Sequence, residues 1–256
     1  MLTDKIHLLS VSYTPLAAAF LAAGLTSGCA TLTDYLKATQ PQAAAEPKTF
    51  AKVGELSVAA DGESEAAEIL AASADEKTLV YTDSPAGRLG FVDISDAAAP
   101  TTQGMLVLNG EPTSVAVRGE YALVAVNTSA SFVEPGGHLA VVDMDERRIG
   151  ARCDVGGQPD SVAVSPDGAY LAIAIENERD EDLNDGALPQ LPAGYLAIFD
   201  LNDDGGPANC HDVRIVDLTG LAEVGGDDPE PEYVSINDDN MVAVTLQENN
   251  HIVIVD

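Results

Sequence analysis

Four segments of this 256-residue chain open alike: Glu65-Ala-Ala-Glu-Ile-Leu-Ala, Glu111-Pro-Thr-Ser-Val-Ala-Val, Gln158-Pro-Asp-Ser-Val-Ala-Val and Glu230-Pro-Glu-Tyr-Val-Ser-Ile. With Ala66, Pro112, Pro159 and Pro231 taken as equivalent, the spacings are 46, 47 and 72 residues. Each opening leads to a second apolar run, at 78–81, 121–126, 170–175 and 241–246. A third run then ends in aspartate, at Asp93, Asp143, Asp200 and Asp256. More polar fourth runs close the first three units, at 104–108, 150–155 and 213–218. A unit of four short strands cannot bury its apolar faces alone, so such units stack on one another.

The runs are short and rich in Val, Ile and Tyr, and Gly, Pro and Asp punctuate them, as in Ser165-Pro-Asp-Gly168. The pattern predicts an all-β chain, a β-propeller of four-stranded antiparallel blades, with units starting near 65, 111, 158 and 230. No helix longer than a turn or two is expected after the N-terminal segment. The fourth unit reaches Asp256 without a fourth strand, which leaves two readings. Residues 48–58 supply that strand and close a four-bladed ring, or the ring is incomplete and the propeller, spanning 49–256 here, continues beyond 256. An exposed hydrophobic edge favours the second reading.

The long third spacing has two sources. One is the stretch "ENERDEDLNDGALPQLPAG" (176–194), which separates the second and third strands of its unit; the other is the link from Leu218 to Glu232. In a propeller both open on the same end of the blades, as does the enlarged loop 127–138 of the second unit. They are expected to build a binding face there, beside Asp83, Asn127, Glu176 and Gln247. Converging carboxylates repel one another unless a cation neutralises them, and calcium takes oxygen ligands in flexible geometry. Glu176, Asp180, Asp182, Asp185, Asp227, Asp228, Glu230 and Glu232 are the candidate ligands. The other reading is a mobile, solvated loop.

Charge narrows the partners. Forty-two Asp and Glu against 12 Lys and Arg give a formal net charge of −30, which excludes nucleic acid as a natural partner. At the N-terminus, Lys5 and His7 precede a ten-residue apolar run, 16–25, too short to span a bilayer and suited to the core of a signal peptide over 1–28. Leu25-Thr-Ser-Gly-Cys29 is similar to a bacterial lipobox, with Thr26 in place of the usual Leu. Cys29 is thus the expected lipid attachment, 29–48 the tether, and the exported protein periplasmic or held at the cell surface by that anchor. Ordinary secretion is the alternative. Cys153 and Cys210 are the remaining thiols. An oxidising compartment permits a bridge, but the repeat alignment puts them at different heights on neighbouring outer strands, so none is expected.

Catalytic motifs are scarce. The chain has no Gly-x-Ser-x-Gly elbow, phosphate loop, Cys-x-x-Cys or metal-spaced His pair. His138, His211 and His251 fall in different units. Asp180–Gly186 misses EF-hand spacing, with Leu191 at the closing position; Asp200–Gly205 comes nearer, but His211 closes it. No nucleophile–base pair can be named.

The stretches "YTDSPAGRLGFVDI", "EPTSVAVRGEYALVAVNTS", "GGQPDSVAVSPDGAYLAIAIENERDEDLNDGALPQLPAGYLAIFDL" and "DPEPEYVSINDDNMVAVTLQENNHIVIVD" resemble exported bacterial proteins of the esterase-like phytase family, which carry YVTN-type propeller repeats. The resemblance runs over residues 60–256. It implies phosphoester hydrolysis of a phytase or alkaline phosphatase-like kind, calcium-assisted, at the cell surface, with the hydrolase region beyond Asp256 and no catalytic residue carried over. Choice-of-anchor surface proteins share such repeats and are the related resemblance. The competing function is a noncatalytic propeller binding protein, peptide or glycan on the same face.

Overall fold

The computed structural model describes residues 49–58 and 66–256. The signal peptide, Cys29 and the tether expected over 1–48 lie outside the described residues. The chain separates into a unit 1–50 and a compact unit 51–256, and the second of these carries the sheets.

Fifteen strands are present among the described residues, with one short 3-10 turn, Asn184–Gly186. Sheet 1 contains β1 (Leu70–Ala72), β2 (Thr78–Asp83), β3 (Arg88–Asp93) and β4 (Thr101–Val107). Sheet 2 contains β5 (Glu111–Arg118), β6 (Tyr121–Asn127), β7 (Gly137–Asp143) and β8 (Arg148–Asp154). Sheet 3 follows with β9 (Pro159–Val164), β10 (Tyr170–Ile175), β11 (Tyr195–Asp200) and β12 (Arg214–Asp217). Sheet 4 has β13 (Pro231–Ile236), β14 (Val242–Leu246) and β15 (His251–Val255). Within every sheet the strands are antiparallel and ordered as in the sequence. These are the blades that the repeat predicts, in an arc.

The turns after the first strands use one device. Ser165 Oγ donates to Asp167 Oδ1 at 2.7 Å and Gly168 N donates to Ser165 O at 2.8 Å. Gly168 has a φ of +71°, and a Cβ there would strike the Arg118 guanidinium, so glycine suits the position twice over. Ser73 and Asp75 repeat the hydroxyl–carboxylate pair at 2.7 Å in the first unit.

Both faces of the middle sheets are buried, which is why their second and third strands read as unbroken apolar runs rather than alternating ones. Val80, Leu89 and Phe91 of sheet 1 pack on Ala122, Val124 and Val142 of sheet 2. Leu123, Leu139 and Val141 of sheet 2 pack on Leu171, Ile173 and Phe199 of sheet 3. Ala172 and Leu196 of sheet 3 pack on Val234, Val242 and Val244 of sheet 4. Among the described residues no such cluster joins sheet 4 back to sheet 1.

Two expectations change. Cys153 and Cys210 are joined in a disulfide. Cys153 ends β8, but Cys210 lies in the segment between β11 and β12, not on an outer strand, because β12 begins only at Arg214. That segment folds back over the cluster between sheets 2 and 3, where Cys210 and Val213 pack, so the alignment of outer strands gave the wrong height. Closing a loop over a sequence separation of 57 stabilises the fold by about 4 kcal/mol in the chain-entropy account. Residues 51–58, in turn, form no strand and do not pair with β15. Gly54, Leu56 and Val58 lie against Leu79, Tyr81, Val92 and Pro100 of the first unit.

An acidic upper face at the bulged inner strands

The inner strands break register at the same repeat position. Pro112 and Ser114 of β5 face Val126 and Ala125 of β6, so Thr113 is an extra residue in the ladder. Asp160 is extra in β9 and Glu232 in β13 by the same comparison. A bulge unpairs one residue and re-aims its side chain, and the proline one position earlier supplies no amide hydrogen to the ladder there. Thr113 Oγ1 donates to Pro159 O at 3.0 Å, linking neighbouring inner strands. Asp160 and Glu232 instead line a cleft of about 650 Å³ with Thr245, Gln247 and Asn250.

Glu176, at the exit of β10, joins them electrostatically. Burial, followed by repulsion from Asp160, Glu178, Glu232 and Glu230, pushes its carboxyl up to about 8. Burial and then Glu232, Glu178 and Glu111 push Asp160 up to about 7. Burial likewise carries Glu230 up to about 7, against the pull of Arg179. Glu232 is raised by burial and by Glu248. Carboxylates crowded in this way hold protons near neutrality and release them to a cation.

The loop 176–194 and the link 218–230 do meet, and specific polar contacts tie them. Arg179 bridges Glu230 at 3.1 Å and Glu248 at 2.7 Å. Gln190 accepts from Asp180 N and donates to Asp180 O, each at 3.0 Å, while its backbone amide donates to Asp228. Gly194 N donates to Pro229 O at 2.8 Å. Buried Asn177 accepts from Gln158 N and donates to Ala193 O. Buried Asn249 repeats the first of these contacts in the next unit by accepting from Glu230 N, and also donates to Val224 O, Gly225 O and Asp228 O.

The candidate ligands therefore divide. Asp228 and Glu230 are buried, Glu176, Asp180 and Glu232 half-buried, and Asp182, Asp185 and Asp227 exposed. Among the described residues no three His, Cys, Asp or Glu side chains stand close enough to hold a metal ion. The eight do not fit calcium as one set. Asp228 Oδ1 and Glu230 Oε1 are nonetheless buried acceptors with no donor. Sequence reasoning missed Asp160, Arg179, Gln190, Asn177 and Asn249. An acid directly after the repeated proline is the signal that points to Asp160; nothing local marks Gln190.

Sheets stacked in this way, with an acidic face at one end, define a protein of the β-propeller class. A family model for the Choice-of-anchor I domain matches residues 68–256, and the chain belongs to that family, whose membership implies an exported or cell-surface protein. Nothing matched assigns it to the esterase-like phytases. No curated protein matches the chain. Among solved structures it is similar to hydrazine synthase of Kuenenia stuttgartiensis (12% identity, TM-score 0.42, 74% of this chain and 64% of that one). It is also similar to a chain of a nidogen/laminin complex (16%, 0.46, 75% and 61%). A third is a putative 6-phosphogluconolactonase from Bacteroides uniformis (15%, 0.47, 74% and 50%). The chain spans between half and two thirds of the length of these structures.

Proposed function

We propose that this domain is a noncatalytic surface module that binds a cationic segment of a protein or peptide on its acidic upper face. The observation that carries the reading is the placing of Asp160 and Glu232 by equivalent bulges on one cleft, with Glu176 coupled to them. An ammonium or guanidinium group relieves the repulsion among these carboxylates, and the residues lining the cleft include no Lys or Arg. The tied loop and link hold the face in shape before a ligand arrives, which lowers the ordering cost of binding. A phosphoester, itself anionic, meets only repulsion from the same groups unless a metal intervenes, so the hydrolase reading has weaker support here.

The test is calorimetric titration of the full chain with a short oligolysine peptide. Affinity rises from pH 6 to pH 9 as Asp160 and Glu176, held up to about 7 and about 8, give up their protons. Asp160→Asn with Glu232→Gln weakens binding by roughly tenfold, or about 1.4 kcal/mol, and flattens the pH dependence. Equal binding by wild type and variant refutes the site, because the other surface carboxylates would then account for all of it.

A further inference from the structure

We infer that the outward side of sheet 4 is an interaction surface for a second copy of this chain, which docks on it with the outward side of its own sheet 1. The inference goes beyond the cationic-ligand reading and does not rest on it. It begins from positions equivalent in the repeat. The third strands end at Asp143, Asp200 and Asp256, so Leu139 and Val141 of sheet 2 correspond to Leu196 and Ile198 of sheet 3 and to Ile252 and Ile254 of sheet 4. Leu139 and Leu196 are 0% exposed and Val141 4%, because the following sheet covers them. Ile252 and Ile254 are 66% and 60% exposed, and Tyr233 beside them 62%. Ala243 and Thr245 complete that side.

The same repeat says what covers such a surface. Wherever it is covered in this chain, the cover is the preceding-facing side of another sheet: Leu171 and Ile173 on sheet 2, and Val242 and Val244 on sheet 3. One sheet in the chain presents that side to no other sheet, namely sheet 1, through Leu79, Tyr81, Val92 and Leu70, with Leu56 and Val58 lying along it. Leu70 is 63% exposed. The two ends of the arc are therefore the two halves of the contact already made three times between its sheets. A contact between unlike surfaces runs head to tail, leading to a ring or an open chain of copies.

Analytical ultracentrifugation of the full chain across protein concentration tests this, in about 0.5 M salt so that the net charge of −30 is screened to within a few ångströms. Wild type is expected to associate with rising concentration. Ile254→Lys spoils one end and Leu70→Lys the other; both positions are well exposed, and unchanged circular dichroism and melting confirm folding. Each variant alone loses further growth and sediments as monomer. An equimolar mixture forms a one-to-one dimer, because each variant retains the surface that the other lacks. Asp160→Asn leaves association unchanged while weakening oligolysine binding, which separates the two proposals. A wild type that stays monomeric up to about 100 µM, or a mixture that stays monomeric, overturns the inference.

Discussion

Asp160 shows how one residue converts a repeat into a site. Its repeat position holds Ala67, Thr113 and Glu232 in the other units, and only the bulge gives that position a direction of its own. The carboxyl is held up to about 7 against an ordinary value of 3.8. A folded-state value above the unfolded one favours folding while the group keeps its proton; that contribution is complete below the unfolded value and lost as pH rises through the folded value. The window for Asp160 thus runs from about 4 to about 7, and Glu176 extends it to about 8. Asp160→Asn is accordingly expected to stabilise the domain, with a gain that grows between pH 5 and pH 8 to on the order of 2 kcal/mol. Thermal melts of both proteins at the two pH values check this, and a gain that is the same at both removes the electrostatic account. The proline–acid pair was visible in the sequence. The bulge was not, because a register shift belongs to two strands at once.

At the scale of elements, the strands were legible nearly to the residue, since both faces of each middle sheet are buried and the apolar runs are continuous. The loop 176–194 was legible as an insertion and as part of the upper face, but its order was not. Its acids suggested either a cation or mobility, whereas Arg179 and Gln190 supply most of its ties. Such contacts reach as far along the chain as Arg179 to Glu248 and follow no local spacing. Gln190→Ala removes hydrogen bonds at both ends of the loop and is expected to cost about 1–2 kcal/mol and to expose 180–190 to proteases. Limited proteolysis followed by mass spectrometry reads this out. Asp182→Ala, at an exposed position, leaves both stability and cleavage unchanged. If the two variants behave alike, Gln190 is not the tie.

For the whole molecule, the repeat predicted the order of the sheets and their stacking, while the covalent link between sheets 2 and 3 escaped it. Cys210 sits in a segment with no counterpart in the other units, so no alignment of units can place it. Replacing both cysteines with alanine is expected to lower stability by about 2–4 kcal/mol, measured by denaturant unfolding, and reductant is expected to do the same to wild type. A reductant-insensitive midpoint shows that the bridge contributes nothing in solution.

That bridge divides the arc unequally. Each sheet leans only on its neighbours, so heat or pulling need not melt the molecule at one stroke; it can strip sheets one by one from the ends. Sheets 1 and 4 each have a single neighbour and peel first, whereas sheets 2 and 3 are stitched together and survive as a pair. The bulged carboxylates straddle the boundary, Asp160 on the stitched pair and Glu232 on the sheet that peels. A tug on the last strand therefore opens the acidic cleft before the core of the arc gives way, and a ligand gripping both sides works as a clasp against that tug.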